Sequence, residues 1–246
     1  MKKRLMLRKA HRYIGLLVSL QLLAWTLGGI WFAWNDINAI HGDHLKKGTH
    51  SSSTIHQALI SPQLAFENIT DFKTLISLKV IFILENPIYQ VSYYNQESSL
   101  KTALINALTG QLNSEINQQT AIEIAKSHTN FDAEIAKVEL ITETSNHHEY
   151  REKPLPAWAI TFDYASSPTF YISSELGTLT SVRHNSWRIF DFLWMLHTMD
   201  YEGRDDFGNW LIKIFSLIAL ITAISGIVLF FISRRKTKPI FKKKTT

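Results

Sequence analysis

Residues 13–34 read YIGLLVSLQLLAWTLGGIWFAW, with no charge and only a handful of polar groups, Ser19, Gln21 and Thr26 among them. Residues 211–232 read LIKIFSLIALITAISGIVLFFI, with one charge, Lys213, close to the start. Each run is 22 residues long. At ~1.5 Å rise per residue a helix of that length covers about 33 Å, enough for a hydrocarbon core of ~30 Å. A core helix of a soluble protein rarely runs so far without polar relief, so both runs read as membrane spans. The basic start of the first run would suit a signal peptide. Its apolar stretch is too long, however, and it ends in Trp31-Phe32-Ala33-Trp34 with no small-x-small cleavage site, so a retained anchor is expected.

Charge placement sets the expected orientation. Residues 1–12 carry six Lys/Arg and residues 233–246 carry seven, with no acid in either segment. All 21 Asp and Glu lie between residues 35 and 210 with 12 Lys/Arg, a net charge of −9. The bias of basic residues toward the cytoplasmic ends of spans puts both termini in the cytoplasm and the central region in the periplasm. The pI of about 9.3 does not point to nucleic acid, because the basic excess sits at the membrane flanks. No cysteine is present, which excludes a disulfide framework, thiolate-held zinc and protein-ligated iron–sulfur clusters. The central region, at about 175 residues, is large enough to rest on its own core.

Within that region, residues 35–52 are polar and rich in His, Gly and Ser, and read as a linker. A helix is expected around Thr54–Leu59, strands at Ile88–Tyr94 and Leu100–Ile105, and a turn at Thr109-Gly110 before Gln111-Leu112. The order then recurs. Thr120–His128 spaces Ala121, Ile124, Ala125 and His128 on one helical face, and Trp158–Tyr164 with Thr169–Ser173 reads as a strand pair closed by Leu176-Gly177. Ile105-Asn-Ala-Leu-Thr-Gly110-Gln-Leu112 matches Ile172-Ser-Ser-Glu-Leu-Gly177-Thr-Leu179 at a spacing of 67 residues. Either an α+β module is duplicated, or two strand–glycine turns agree by chance. Trp187–Met199 is apolar on most sides but too short to cross. It suits a helix lying in the membrane interface, or one buried on the central domain.

Four passages resemble the PepSY-associated transmembrane family of bacterial membrane proteins. They are the entry to the first span, Arg8-Lys9-Ala10-His11-Arg12-Tyr13-Ile14-Gly15-Leu16; the two units ending at Gly110 and Gly177; Leu196-His197; and the exit Ser225-Gly226-Ile227-Val228-Leu229-Phe230 before Arg234-Arg235. The resemblance covers nearly the whole chain. It implies a membrane-α plus periplasmic α+β fold of the bacterial inner membrane, with two transmembrane helices flanking a duplicated PepSY-like helix–antiparallel-sheet domain. The expected boundaries are a basic cytoplasmic tail at 1–12, a span at 13–34, a periplasmic domain at 35–186 with units at about 53–112 and 117–183, an interfacial helix and acidic loop at 187–210, a span at 211–232 and a basic tail at 233–246. Larger members with four or more spans resemble siderophore-iron reductases that hold b-type haem through histidines. Small two-span members, with Ile40-His41-Gly42-Asp43-His44 after the first span, look like proteins that reduce ferric iron for ferrous uptake.

Ten histidines are present. Those near the expected membrane are His11, His41, His44 and His197, the candidate ligands of haem b. A b-type haem takes one or two neutral imidazoles and apolar walls, for which Trp31, Phe32, Trp34, Trp187, Phe190, Phe192 and Trp194 are candidates. His11 and His41 lie ~45 Å apart along a continuous helix and cannot share one iron. His41 or His44 with His197 can, whereas a haem at the cytoplasmic side requires two His11 residues of a homodimer. Ala219, Thr222, Ala223 and Gly226 would let helices approach closely, either between two copies or against the chain's own first span. The plain alternatives are a polar interface residue for His11, linker residues for His41 and His44, a satisfied interfacial His197, and solvated His147 and His148. Gln21 is expected in a helix–helix hydrogen bond. Asp200, Glu202, Asp205 and Asp206 supply hard oxygen ligands suited to ferric iron, or form a solvated loop.

No phosphate loop, His-Glu-x-x-His or nucleophile elbow is present. Two functional readings follow. One is a haem-dependent electron-transfer protein that takes electrons from a membrane donor, reduces ferric iron or an iron complex and serves a ferrous transporter. The other is a non-catalytic, membrane-anchored binding or regulatory module whose strand edges receive a peptide or partner protein.

Overall fold

The computed structural model describes residues 2–48 and 57–233. The chain forms two units, one built from its two ends (Met1–Trp34 and Phe192–Thr246), the other from Asn35–Asp191. In chain order the elements begin with α1 (Lys2–Trp34), α2 (Ile37–Ile40), a 3-10 turn (Asp43–Leu45) and α3 (Pro62–Phe66). A first run of strands follows, β1 (Phe72–Ile83), β2 (Asn86–Asn95) and β3 (Leu100–Asn106). Then come α4 (Gln118–His128), β4 (Ile135–Ile141), β5 (Ala157–Phe162), β6 (Thr169–Ser173) and β7 (Leu179–Arg183). The chain closes with α5 (Asn185–Thr198) and α6 (Trp210–Ser233).

In the helical unit, α1 runs 33 residues, well beyond the charge-free stretch. Its basic start is therefore helical and not a separate tail, because Lys, Arg, Leu and Met are good helix formers and no Gly or Pro interrupts them before Gly15. Leu5–Trp34 and Trp210–Ser233 are long and apolar enough to cross a membrane. Only 11% and 6% of their most apolar windows are buried inside the chain, whereas the core helix of a soluble protein would be mostly covered. Val18 of α1 and Phe215 of α6 pack with Met199, joined by Trp25, Leu211, Ile212, Ile218 and Ala219.

The other unit is α+β. Strands β1-β2-β3 form one antiparallel meander and β4-β5-β6-β7 a second. The lettered match at 67 residues is a repeat of backbone geometry. Leu112 bridges Ile105 as Leu179 pairs with Ile172. Gly110 donates its N–H to the Asn106 carbonyl (2.8 Å), as Gly177 does to that of Ser173 (3.0 Å). Asn106 donates to Gln111, and Ser173 to Thr178. Both glycines have positive φ, +76° and +64°, which side chains with a Cβ rarely adopt.

Around each turn the two copies differ. In the second, α4 is capped by the Asn117 side chain on the Thr120 N–H and buries Ala121, Ile124 and Ala125. Among the described residues the first carries only the five-residue α3. Of the helix expected at Thr54–Leu59, residues 54–56 lie outside the described residues, and 57–59 are not helical. Three strands, β1, β4 and β7, had no counterpart in the sequence reading.

Both meanders contribute to one core. Ile83, Ile88 and Leu104 from the first pack with Ile160, Phe162, Phe170, Ile172 and Val182 from the second, and with Leu45, Ile116 and α4. Leu45 corrects the linker reading of residues 35–52. Ile40 and Leu45 are buried, Lys47 N–H donates to the His128 carbonyl, and Asn130 N–H donates to that of Leu45. Two apolar anchors thus hold residues 37–47 on the domain despite their polar composition.

The first half of α5 is tied to the second sheet by charge. The Arg188 guanidinium donates to both carboxylate oxygens of Glu149 at 2.6 and 3.0 Å, and the Tyr171 hydroxyl donates to the same carboxylate at 2.8 Å. Burial pushes the Glu149 carboxyl up, but these donors and Arg183 hold it net below the usual glutamate value. Arg151 and Asp191 form a buried pair at 2.8 Å, and Arg183 lies over the Trp187 ring at 3.9 Å. The expected interfacial helix is thus anchored through its first half in the α+β unit, and the unit boundary falls within it, after Asp191.

Gly177 has no room for a side chain. A Cβ there would meet Ile83 Cδ1 below any contact distance and Leu104 Cδ1 at 3.1 Å. The Gly177→Ala variant should therefore lose about 1–3 kcal/mol through combined strain and overpacking, read as a lower unfolding midpoint in detergent.

Candidate functional site

His11 faces α6. Its Nδ1 and the Ser225 Oγ are hydrogen-bonded at 2.6 Å, and Ser225 Oγ is placed to donate to the Thr222 carbonyl at 2.8 Å. One hydroxyl proton serves both contacts, so the Ser225 Oγ either accepts from a protonated His11 Nδ1, which leaves the Nε2 lone pair, or donates to Nδ1, which puts the ring proton on Nε2. Gly226 makes the space for this ring, since a Cβ there would lie 3.2 Å from His11 Cε1 and 3.7 Å from Nε2. One helical turn away, a Cβ on Gly15 would lie 3.8 Å from the Thr222 methyl. Thr222 and Gly226 therefore serve packing against the chain's own first helix.

His197 occupies the last turn of α5 among aromatic rings. It stacks on Trp194 with centroids 6.0 Å apart, and meets Trp25 at 5.7 Å and Phe32 at 6.3 Å. Its Nδ1 is buried with no hydrogen-bond partner. This turn of α5 is fixed by two donors on α1. Gln21 Nε2 donates to the Leu196 carbonyl at 2.7 Å and Trp25 Nε1 to the same oxygen at 3.3 Å. Gln21 thus makes the interhelical bond expected of it, with α5 as its partner.

The acidic residues after α5 serve the loop that carries them. Asp200 accepts backbone N–H groups from Glu202, Gly203 and Asp206 at 3.3, 3.0 and 2.9 Å. Burial raises its carboxyl, but these amides outweigh that and hold it below the ordinary aspartate value. Asp206 accepts from the Gly208 N–H, and Asp205 accepts from Trp194 Nε1 at 3.1 Å. Among the described residues, no three His, Cys, Asp or Glu side chains are grouped to hold a metal ion. The Asp200 and Asp206 carboxylates thus cap the loop that carries them, and Asp205 meets the Trp194 indole.

His41 and His44 belong to the α+β unit, and His197 to the helical unit. Both are exposed, and the ring of His44 meets His184, with centroids 5.3 Å apart and planes at 76°. The sequence reading missed His184. It stands alone between β7 and α5, and no spacing links it to residues some 144 positions earlier. His147 and His148 lie in the loop before Tyr150, where His148 Nδ1 accepts the Tyr150 N–H at 3.0 Å.

Two apolar helices, a helix end that packs a histidine among tryptophans, and an α+β domain inserted between them define a two-span membrane protein. Residues 8–246 match the family model described as the PepSY-associated TM region, and the chain belongs to that family. No curated protein and no solved structure matches it at a significant level.

The α1–α6 contact makes a direct prediction. The Gly226→Leu variant should displace the His11 ring and weaken the helix pair by about 1–3 kcal/mol, seen as earlier unfolding in a denaturing-detergent titration. Ile227→Leu, on an exposed face, should leave that titration unchanged.

Proposed function

We propose that this protein is a haem-dependent electron-transfer protein of the bacterial inner membrane, reducing ferric iron in the periplasm to assist ferrous uptake. One observation carries the reading. The His197 Nδ1 is buried and unbonded among Trp25, Phe32 and Trp194. A buried polar nitrogen left without a partner costs about 1–3 kcal/mol, which a ligand at that atom recovers. An imidazole nitrogen for the iron and apolar walls for the macrocycle are the two things a b-type haem asks of a protein.

His11 is the second candidate ligand. With its Nδ1 donating to Ser225 Oγ, the Nε2 lone pair is left over, the arrangement that orients a histidine toward a metal. The 14 to 21 residues of α1 between His11 and the rings of Trp25 and Phe32 correspond to ~21–32 Å along the helix, so the two histidines serve separate places. Bound at such positions, haem supplies reversible one-electron chemistry. The chain's own residues fix its surroundings: Ser225 holds the His11 ring, Gly226 leaves room for it, and Gln21 with Trp25 holds the turn bearing His197. Ferric iron, the one-electron acceptor, is the substrate.

The test is a pyridine haemochrome assay and a reduced-minus-oxidised spectrum of full-length protein purified in detergent from haem-replete cells. A Soret band is expected, largely lost in His197→Ala and reduced in His11→Ala. A colourless wild-type preparation would overturn the reading. It would favour the binding module, for which β1 is the relevant surface, a twelve-residue edge strand exposing Leu75, Ile76 and Val80.

The orientation is tested separately. Since the chain has no cysteine, a single cysteine at exposed Glu143 should react with a membrane-impermeant maleimide in intact spheroplasts. Reaction only after lysis would reverse the assignment of both termini to the cytoplasm.

A further inference from the structure

The α+β unit holds a pair of imidazoles that the haem reading leaves unused. His184 is 1% exposed. Its Nε2 lies 3.0 Å from the Ala39 carbonyl oxygen and 3.1 Å from that of Ile40. Both partners can only accept, so Nε2 bears the proton and the lone pair resides on Nδ1. That Nδ1 is buried and has no hydrogen-bond partner. Burial lowers the His184 pKa, and the two carbonyls offset this only in part, so the ring is neutral at neutral pH. A histidine that donates one N–H to backbone carbonyls and keeps the other nitrogen bare has the outer-shell arrangement typical of metal ligands.

The second imidazole is held in place from several sides. His44 sits on the 3-10 turn, whose preceding residue Gly42 takes φ +79°. Leu45 is buried in the main core, and Asn130 Nδ2 donates to the His44 carbonyl. A Cβ at Gly42 would press on Val182 at 3.0 Å and lie 3.6 Å from His184 Cδ2, so the turn can approach this close only with glycine there. The ring centroids lie 5.3 Å apart with planes at 76°, an edge-to-face contact whose spacing also matches that of two imidazoles on one ion. With metal–nitrogen bonds of ~2.0–2.1 Å and ~1.1 Å from nitrogen to ring centre, two imidazoles on a tetrahedral ion have centroids about 5 Å apart.

We infer that His44 and His184 form a two-imidazole site for a divalent first-row transition-metal ion, with its remaining positions open to water or an incoming ligand. Imidazole donors select Zn²⁺, Cu²⁺, Ni²⁺, Co²⁺ or Fe²⁺ over Mg²⁺ and Ca²⁺. Asp43, beside His44, adds negative charge nearby, although its carboxylate pairs with Lys46 at 2.5 Å. The inference does not rest on haem, yet it places a ferrous-compatible site on the chain proposed to make ferrous iron.

The experiment is titration of chelator-treated, full-length protein with Co²⁺, read by visible absorption, and with Zn²⁺ in competition with a chromogenic indicator. One equivalent per chain is expected, undiminished by millimolar Mg²⁺. His44 is exposed, so His44→Ala should fold normally and weaken binding at least ~10-fold. His147→Ala and His197→Ala should bind as wild type, which separates this site from the haem assignment. No saturable binding, or wild-type affinity in His44→Ala, would overturn the inference.

Discussion

Hydrocarbon offers no hydrogen bonds, and the polar groups of the helical unit are arranged under that constraint. Ser19, Thr26 and Thr222 return their hydroxyl protons to the carbonyls of Leu16, Leu22 and Ile218, three or four residues earlier on their own helices. Such bonds cost the chain no tertiary organisation. Gln21 and His11 cannot be satisfied locally, and they reach Leu196 on α5 and Ser225 on α6. These two side chains therefore fix how three segments, far apart in sequence, come together. The apolar contact of Val18, Met199 and Phe215 fills the space between them.

Against that background the Nδ1 of His197 stands out. It is buried and unbonded in a unit where Ser19, Gln21, Thr26, Thr222 and Ser225 all have hydrogen-bond partners. Native proteins rarely leave such a group unsatisfied, and those that do tend to use it. The same reasoning applies to the Nδ1 of His184 in the α+β unit. The two atoms occur in different chemical settings. One is walled by tryptophan and phenylalanine, which suits a large planar group. The other belongs to a ring that meets an exposed imidazole, which suits a small ion.

The α+β unit is organised by its repeated turn. Strand, glycine with positive φ, and returning leucine recur at the same spacing, with the same backbone bonds. The two turns sit in different surroundings. Gly177 lies where Ile83 and Leu104 of the first meander meet the second, while Gly110 lies against Ile60 and Asn68. Both positions exclude a side chain, so each turn requires glycine.

The spans, the turns at Gly110 and Gly177, and α4 were legible in the sequence because each is a local signal: length, backbone sign or helical period. The strands β2, β3, β5 and β6 were legible from β-forming runs. β1 and β4 were not, being edge strands with much of their length exposed and no clean alternation. Composition made residues 35–52 look like a linker, of which 49–52 lie outside the described residues, since two buried side chains, Ile40 and Leu45, are too few to register in a window average. His11, His41, His44 and His197 could be singled out by their distance from the spans. Sequence proximity could not reveal that His44 meets His184, that Ser225 bonds His11, or that backbone amides occupy Asp200. The sequence alone determined where the chain is apolar and where it turns. Which imidazole nitrogens keep a lone pair was decided by the tertiary structure, because hydrogen-bond partners come from whatever the fold brings within 3 Å or so, not from neighbours along the chain.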